Sequence, residues 1–483
     1  MLPAALCLLA TSVLCPPSVA GDSPQSPIRL VYSGTYRLEA HLAKPHDTLD
    51  FQTRLTLLAD TDNRARLDWE SWPKGHEEQR DLDTTLIAGT RVWRRTETGK
   101  PFVEARDKSA ALLRARVENL IPWRTLARAR SAPQRDPAQE GGALAWTDSS
   151  ELGGFARRID FDADTHRLAR ITRRFAHPRL GDAADEVLYR AWEERDGVLL
   201  PSSLTMRELD GGNSLRASPG SFELRLESAE AVADLTHELA PPAESISEAD
   251  PGPVVPGEIE VTELEPGVLS FASKELDGRS YAVEFDDYLI AIDAPLSSAL
   301  GERIVAVMRE RFPKKPLRYV LFGHFHPWYT GGLRAFLAAG AKLVAPAGCA
   351  AFAEEIAKRP FTLEPDEWAR VARSPEIERF SGTRAFEDAH QRLEVFDIGA
   401  RSAHTDEYLV FFLPHTHTLL EDDIGWSAAS DGKLSFGRRS RGLYEFLVEQ
   451  KLEVRSLWQS WPVASPRPRI SFAELERGVR TPR

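Results

Sequence analysis

The sequence predicts two domains, a mostly antiparallel β-sheet domain with a covering helix followed by an α/β domain. Three observations predict it. The chain has 483 residues, too many for one ordinary hydrophobic core. Its first half alternates apolar and polar residues between turn signals, the period of half-buried strands. Beyond residue 258, strand-like and helix-like runs alternate, as they do where crossover helices join strands. With 42% apolar and 28% charged residues, the composition is that of a soluble globular protein. The formal net charge is −12 and no long basic run occurs, which argues against nucleic acid and anionic membrane surfaces as partners.

The chain starts "MLPAALCLLATSVLCPPSVAGDSPQ". Residues 1–15 carry no charge, and Ser18-Val19-Ala20 puts small residues at the −3 and −1 positions a signal peptidase needs. Residues 1–20 therefore read as a signal peptide cleaved after Ala20, giving a periplasmic or secreted mature chain. The apolar stretch is short for a bilayer span and no later run is longer, so no integral membrane segment is expected after cleavage. Cys7 and Cys15 fall in the leader. Cys349 is then alone, and no intrachain disulfide is expected.

Residues 28–235 form the first domain. "TLDFQTRLTLLAD", "RARLDWESW", "DTTLIAGTRVWRRT" and "SFELRLESAEAV" alternate in the strand period, and "DTDN", "DADT", "RDG" and "DGGN" separate such runs. One helical stretch interrupts at about 107–130. An antiparallel sheet with one wet face and a helix over the other fits this text. The "DFDADTHRL" and "ERDGVLLPSSLTM" hairpins resemble the curved, helix-covered sheets of periplasmic lipoprotein-carrier domains. That resemblance implies a cleft for a lipid-like ligand or a partner; the alternative is a packed sheet that abuts the second domain. Residues 236–257 are rich in Pro, Ala, Ser and acid, a linker composition.

The second domain covers residues 258–480. Strand "SYAVEFDDYLIAIDAP" precedes helix "SALGERIVAVMRERF", "LRYVLFGH" precedes "GGLRAFLAAG", and "KLVAP" precedes "CAAFAEEIAKR". After residue 390 strands dominate, and "SFAELERGV" closes the chain as a helix.

The chemistry starts at "LFGHFHPWYTGG". His324 and His326 sit at a strand end, where alternation turns both imidazoles the same way. His404 precedes the strand "YLVFFLP", and Asp423 ends the strand that returns, so a hairpin over 407–423 carries both to one edge. Three imidazoles and a carboxylate suit zinc with a position left for water, whose pKa falls to about 7. His415 and His417 lie at the turn of that hairpin, roughly 20 Å from Asp423 at the usual strand rise, and read as surface histidines.

"YLIAIDAP", "LFGHFHPWYTGGLRAF", "SAHTDEYLVFFLP" and "LLEDDI", in this order, resemble the metallo-β-lactamase fold superfamily. The resemblance implies an αββα sandwich with the metal at one edge of the sheets. It implies His324, His326 and His404 as the ligands of one zinc, Asp423 as the metal-bridging carboxylate, and Asp293 as an aspartate supporting the ligands from behind. The family string H-x-H-x-D-H has Trp328 and Tyr329 at its last two places, and "LWQSWPVASP" lacks the histidine usual near the C-terminus. One zinc per chain at most is therefore expected. Trp328 would fill the space of the second metal. Tyr329 is either a hydrogen-bond donor to a bound oxyanion or a packing residue. Asp423, or less readily Asp406, would act as base.

Two functions remain. One is an exported mononuclear zinc hydrolase acting on an ester, lactone or amide. The other is an inactive envelope binding or scaffold protein on a degenerate metallo-β-lactamase fold. The partner is a small-molecule substrate in the first case and a lipid-like or protein ligand in the second.

Overall fold

Strand Ile28–Glu39 pairs antiparallel on one side with Thr48–Ala59 and on the other with Ser218–Ala231. The hairpin of the first two strands thus sits in the middle of a thirteen-stranded sheet. Alternate residues Leu30, Tyr32, Leu55, Leu57, Phe222 and Leu224 are buried on one face, as their period requires. The computed structural model describes residues 24–131, 145–148, 157–210, 218–248 and 257–481, apart from residues 163, 166 and 372. The leader read at residues 1–20 lies outside the described residues.

Where one helix was expected over 107–130, there are two, Asp107–Glu118 and Pro122–Ser131. Pro122 cannot donate a backbone bond, so it starts a new first turn instead of continuing the old helix. Leu113, Val117, Leu120 and Trp123 fill the buried face of the sheet. The cavity left there is about 110 Å³ and includes Arg94, Arg116, Arg157, Arg173, Asp185 and Glu208 in its lining. That is small beside the roughly 300 Å³ or more of a small-molecule site.

Part of the stretch read as a linker is docked. Leu239 is buried with Leu235 against Leu58, Leu86 and Trp93, and Ser245–Ser247 adds a parallel strand beside Phe102–Glu104. Two leucines four residues apart were hidden in a polar, proline-rich text.

The second domain has two sheets. The seven-stranded sheet runs, in spatial order, Glu260–Glu265, Val268–Ser273, Gly278–Glu284, Leu289–Ile292, Leu317–Leu321, Lys342–Ala345, Ile377–Arg379. Its first four strands are antiparallel neighbours, and the rest join in parallel through the expected helices. The six-stranded sheet starts at Thr383–Glu387 and includes the hairpin Leu409–Leu413 and Thr418–Glu421. Tyr281, Ile290 and Leu321 of one sheet share a core with Leu393, Phe411 and Leu420 of the other. Helices Ser298–Arg311, Leu333–Ala338 and Ala347–Lys358 cover the outer face of the first. Arg438–Glu449 and Phe472–Arg480 cover that of the second. The layers run helix, sheet, sheet, helix. Arg438–Glu449 was not read from the sequence, because "GRRSRG" conceals the apolar face of Leu443, Phe446 and Leu447.

Two turns of the first domain grip the second. Asp182 accepts from the backbone N–H groups of Thr362 at 2.8 Å and Leu363 at 3.0 Å, and its own N–H donates to Pro360 O at 2.8 Å. Gly181 beside it has a φ of +76°, and a Cβ there would meet Pro360 O at 2.2 Å. The second turn, residues 40–47, is the loop of the central hairpin. Its Ala43 O accepts from Asp406 N at 2.8 Å, and His46 Nε2 lies 2.6 Å from Glu355 Oε2.

Candidate metal centre

Strand Leu317–Leu321 delivers His324 and His326 to the edge of its sheet. The chain then turns tightly, with His326 N donating to His324 O at 2.9 Å, and enters the short helix Pro327–Thr330. From the other sheet, His404 follows a 3₁₀ turn whose last residue, Ser402, accepts from His404 N at 3.2 Å through its hydroxyl. Ala403 takes the left-handed conformation, φ 52°, that reverses the chain there. The ring centroids of His324 and His404 are 4.8 Å apart, and those of His324 and His326 are 5.9 Å apart.

A fourth imidazole, not found by sequence reasoning, joins them from the first domain. His41 lies in the 40–47 loop, with its ring centroid 4.1 Å from His326, 4.5 Å from His404 and 4.9 Å from His324. One ligand nitrogen from each of His41, His324 and His404 falls within 4.8 Å of the others. "LEAHLAKPHD" gives no sign of this, because the contact is made by the docking of two domains.

His41 Nε2, His324 Nε2, His326 Nδ1 and His404 Nε2 are all buried and have no hydrogen-bond partner. A buried polar atom left unpaired costs about 1–3 kcal/mol, so the convergent set of His41, His324 and His404 calls for a shared occupant; His326 lies outside that set. Burial depresses every one of these imidazoles: His41 to about 4, with Arg439 adding to it, and His404 to about 3, His326 to about 2 and His324 well below the usual histidine range, with His41 and Arg439 adding to it. At neutral pH all four offer lone pairs, the form that binds metal. The residues present fit a divalent ion with imidazole ligands.

His324 is fixed from behind. Its Nδ1 lies 2.7 Å from Asp422 Oδ2, an arrangement that leaves Nε2 free to ligate. Asp422 is thus a carboxylate that touches a histidine of the cluster, a contact not read from the sequence. The strand Thr418–Glu421 ends two residues before Asp423, which was expected to end it. Asp423 turns to Tyr408, whose Oη lies 3.4 Å from Asp423 Oδ1 and accepts from Asp423 N at 3.1 Å. Asp293 accepts from Ser460 Oγ at 2.6 Å and from the N–H of Gly323, the residue before His324, at 3.2 Å. Burial raises all four acids of this nest: Asp293 to about 7, Asp423 to about 6, Glu421 to about 8, and Asp422 well above the carboxylate range.

Trp328 stacks on His326, centroids 4.9 Å apart, and meets Trp461 edge-on at 5.8 Å. Tyr329 is buried 4.8 Å from the His324 ring, and its hydroxyl has no hydrogen-bond partner. Asp406 is drawn away to the 40–47 loop, 3.6 Å from Lys44 Nζ. His415 and His417 face the backbone carbonyls of His390 and Glu453 at the hairpin turn.

No family model matches the chain, and no curated protein matches it. Solved structures do. A metallo-beta-lactamase from Pontibacter korlensis is 17% identical over 45% of this chain and 96% of its own, with a TM-score of 0.35. The metallo-beta-lactamase FIM-1 from Pseudomonas aeruginosa, in its mono-zinc form, is 17% identical over 46% of this chain and 93% of its own, with a TM-score of 0.33. The stereoselective inverting sec-alkylsulfatase Pisa1 from Pseudomonas sp. is 16% identical over 43% of this chain and 39% of its own, with a TM-score of 0.31. Likeness at this level carries no argument about activity.

Proposed function

We propose that this chain is an exported mononuclear zinc hydrolase of metallo-β-lactamase type, acting on an ester, lactone or amide. The observation that carries the reading is the convergence of buried, unpartnered imidazole nitrogens at the edge of two packed sheets. His324, His326 and His404 would hold the ion, with Asp422 orienting His324. A zinc ion held there supplies a Lewis acid and a water whose pKa is lowered to about 7. Asp423, raised by burial to about 6, is mostly ionised at neutral pH and suited to accept a proton. Tyr329, held un-ionised by burial, offers a hydroxyl donor to an oxyanion.

The non-catalytic scaffold is the second reading, favoured by the indole of Trp328 over His326. Elemental analysis of the purified mature chain tests the choice. About one zinc per chain, lost in His326→Ala, supports the hydrolase. No metal above background after zinc-supplemented refolding leaves the scaffold.

A further inference from the structure

We propose that His41 is a fourth ligand to the metal, so that the site is built across the junction of the two domains. The inference rests on the metal reading above and adds a ligand from outside the second domain. His41 Nε2 is buried and unpartnered, and one ligand nitrogen of His41 lies within 4.8 Å of one from each of His324 and His404. Its position is held by backbone: Ala40 N donates to Asp47 O at 2.8 Å, and Leu42 N reaches back across His41 to Ala40 O at 3.0 Å. The loop is held onto the second domain by Asp406 N to Ala43 O and by His46 to Glu355. Among the described residues, none of these bonds uses the His41 side chain. The loop is organised to present the ring, and the ring meets other histidines.

The chemical consequence follows from coordination number. Zinc in proteins is most often tetrahedral; sites with four protein ligands are closed, and catalytic sites keep one position for water or substrate. An imidazole from His41 would fill that position, and a site left with three histidines would keep it for water or substrate.

The full-length mature protein is loaded with zinc or cobalt(II) and compared with His41→Ala and His41→Phe, the latter keeping a ring against Phe325 but no lone pair. Zinc affinity is read by chelator competition, and cobalt coordination by visible absorption. Both variants are expected to keep one metal but bind it about 100-fold more weakly, the upper end of what losing even a supporting partner costs. Their cobalt spectra should change, and added free imidazole should restore the wild-type spectrum in His41→Ala. Unchanged affinity and spectrum in His41→Phe, with wild type binding one metal, would overturn His41 as a ligand and leave the hydrolase intact. Absence of metal from wild type would overturn both.

Discussion

His324 Nδ1 lies 2.7 Å from Asp422 Oδ2, and both side chains are shut off from solvent. A carboxylate behind a ligating imidazole fixes its tautomer and aims its other nitrogen. Asp422→Asn should therefore lower zinc affinity about 10–100-fold. Asp423→Asn, which loosens the contact with Tyr408, should lower it less. Chelator competition on the two variants decides, and the reverse order would hand the supporting role to Asp423.

Gly323 makes that contact possible. A Cβ there would meet the Asp422 carboxylate at 2.1–2.3 Å. Gly323→Ala is expected to destabilise the metal-free protein by about 1–3 kcal/mol, as overpacking does, and to weaken zinc binding with it. Urea unfolding measures the first effect. Unchanged stability would mean that Asp422 can move aside freely.

The depressed imidazoles set a direction for pH. His404 is pushed down to about 3 by burial, then by His41 and Arg439. Its unfolded value is about 6.5, so below that pH the unfolded chain takes a proton that the folded chain refuses, and stability falls. Asp293 and Glu421, raised by burial, act in the opposite sense, so the comparison must be made within one background. Between pH 7.5 and 5, metal-stripped wild type should lose about 1–2 kcal/mol more than His404→Gln, allowing for the partial exposure of the ring. Equal losses in urea midpoints would show an imidazole that protonates normally.

Trp328→Asp with Tyr329→His rewrites the string as H-x-H-x-D-H. No histidine is added in the carboxy-terminal loop, where Trp461 packs against Trp328. The double variant should still bind about one zinc and should melt lower than wild type, since loss of a packed Trp costs up to about 3–5 kcal/mol. Two tightly held metals at unchanged stability would reveal a ligand outside the set described.

Export is checked by mass. The mature chain from a periplasmic fraction should begin at Gly21, and a full-length chain in the cytosol would contradict the leader reading.

His324 and His326 were legible because they follow a strand whose period is written in the sequence, and His404 because it precedes one. The strand–helix units of the second domain were legible for the same reason. Asp422 was not, because the reading turned on the last residue of a four-residue strand, and strand ends are where alternation fails. His41 was invisible, since its meeting with the other three depends on two turns seating one domain on another. Helix Arg438–Glu449 was lost among arginines.

The thirteen-stranded sheet finishes at one side in Ser245–Ser247, three residues with exposed side chains laid parallel to Phe102–Glu104. An uncovered strand edge is a template on which other chains assemble. A three-residue strand with exposed side chains offers such assembly little length. A shortened variant lacking residues 245–248 would bare the row of backbone groups on Phe102–Glu104, and its first symptom would be sedimenting oligomers in a concentrated sample rather than a lower melting point.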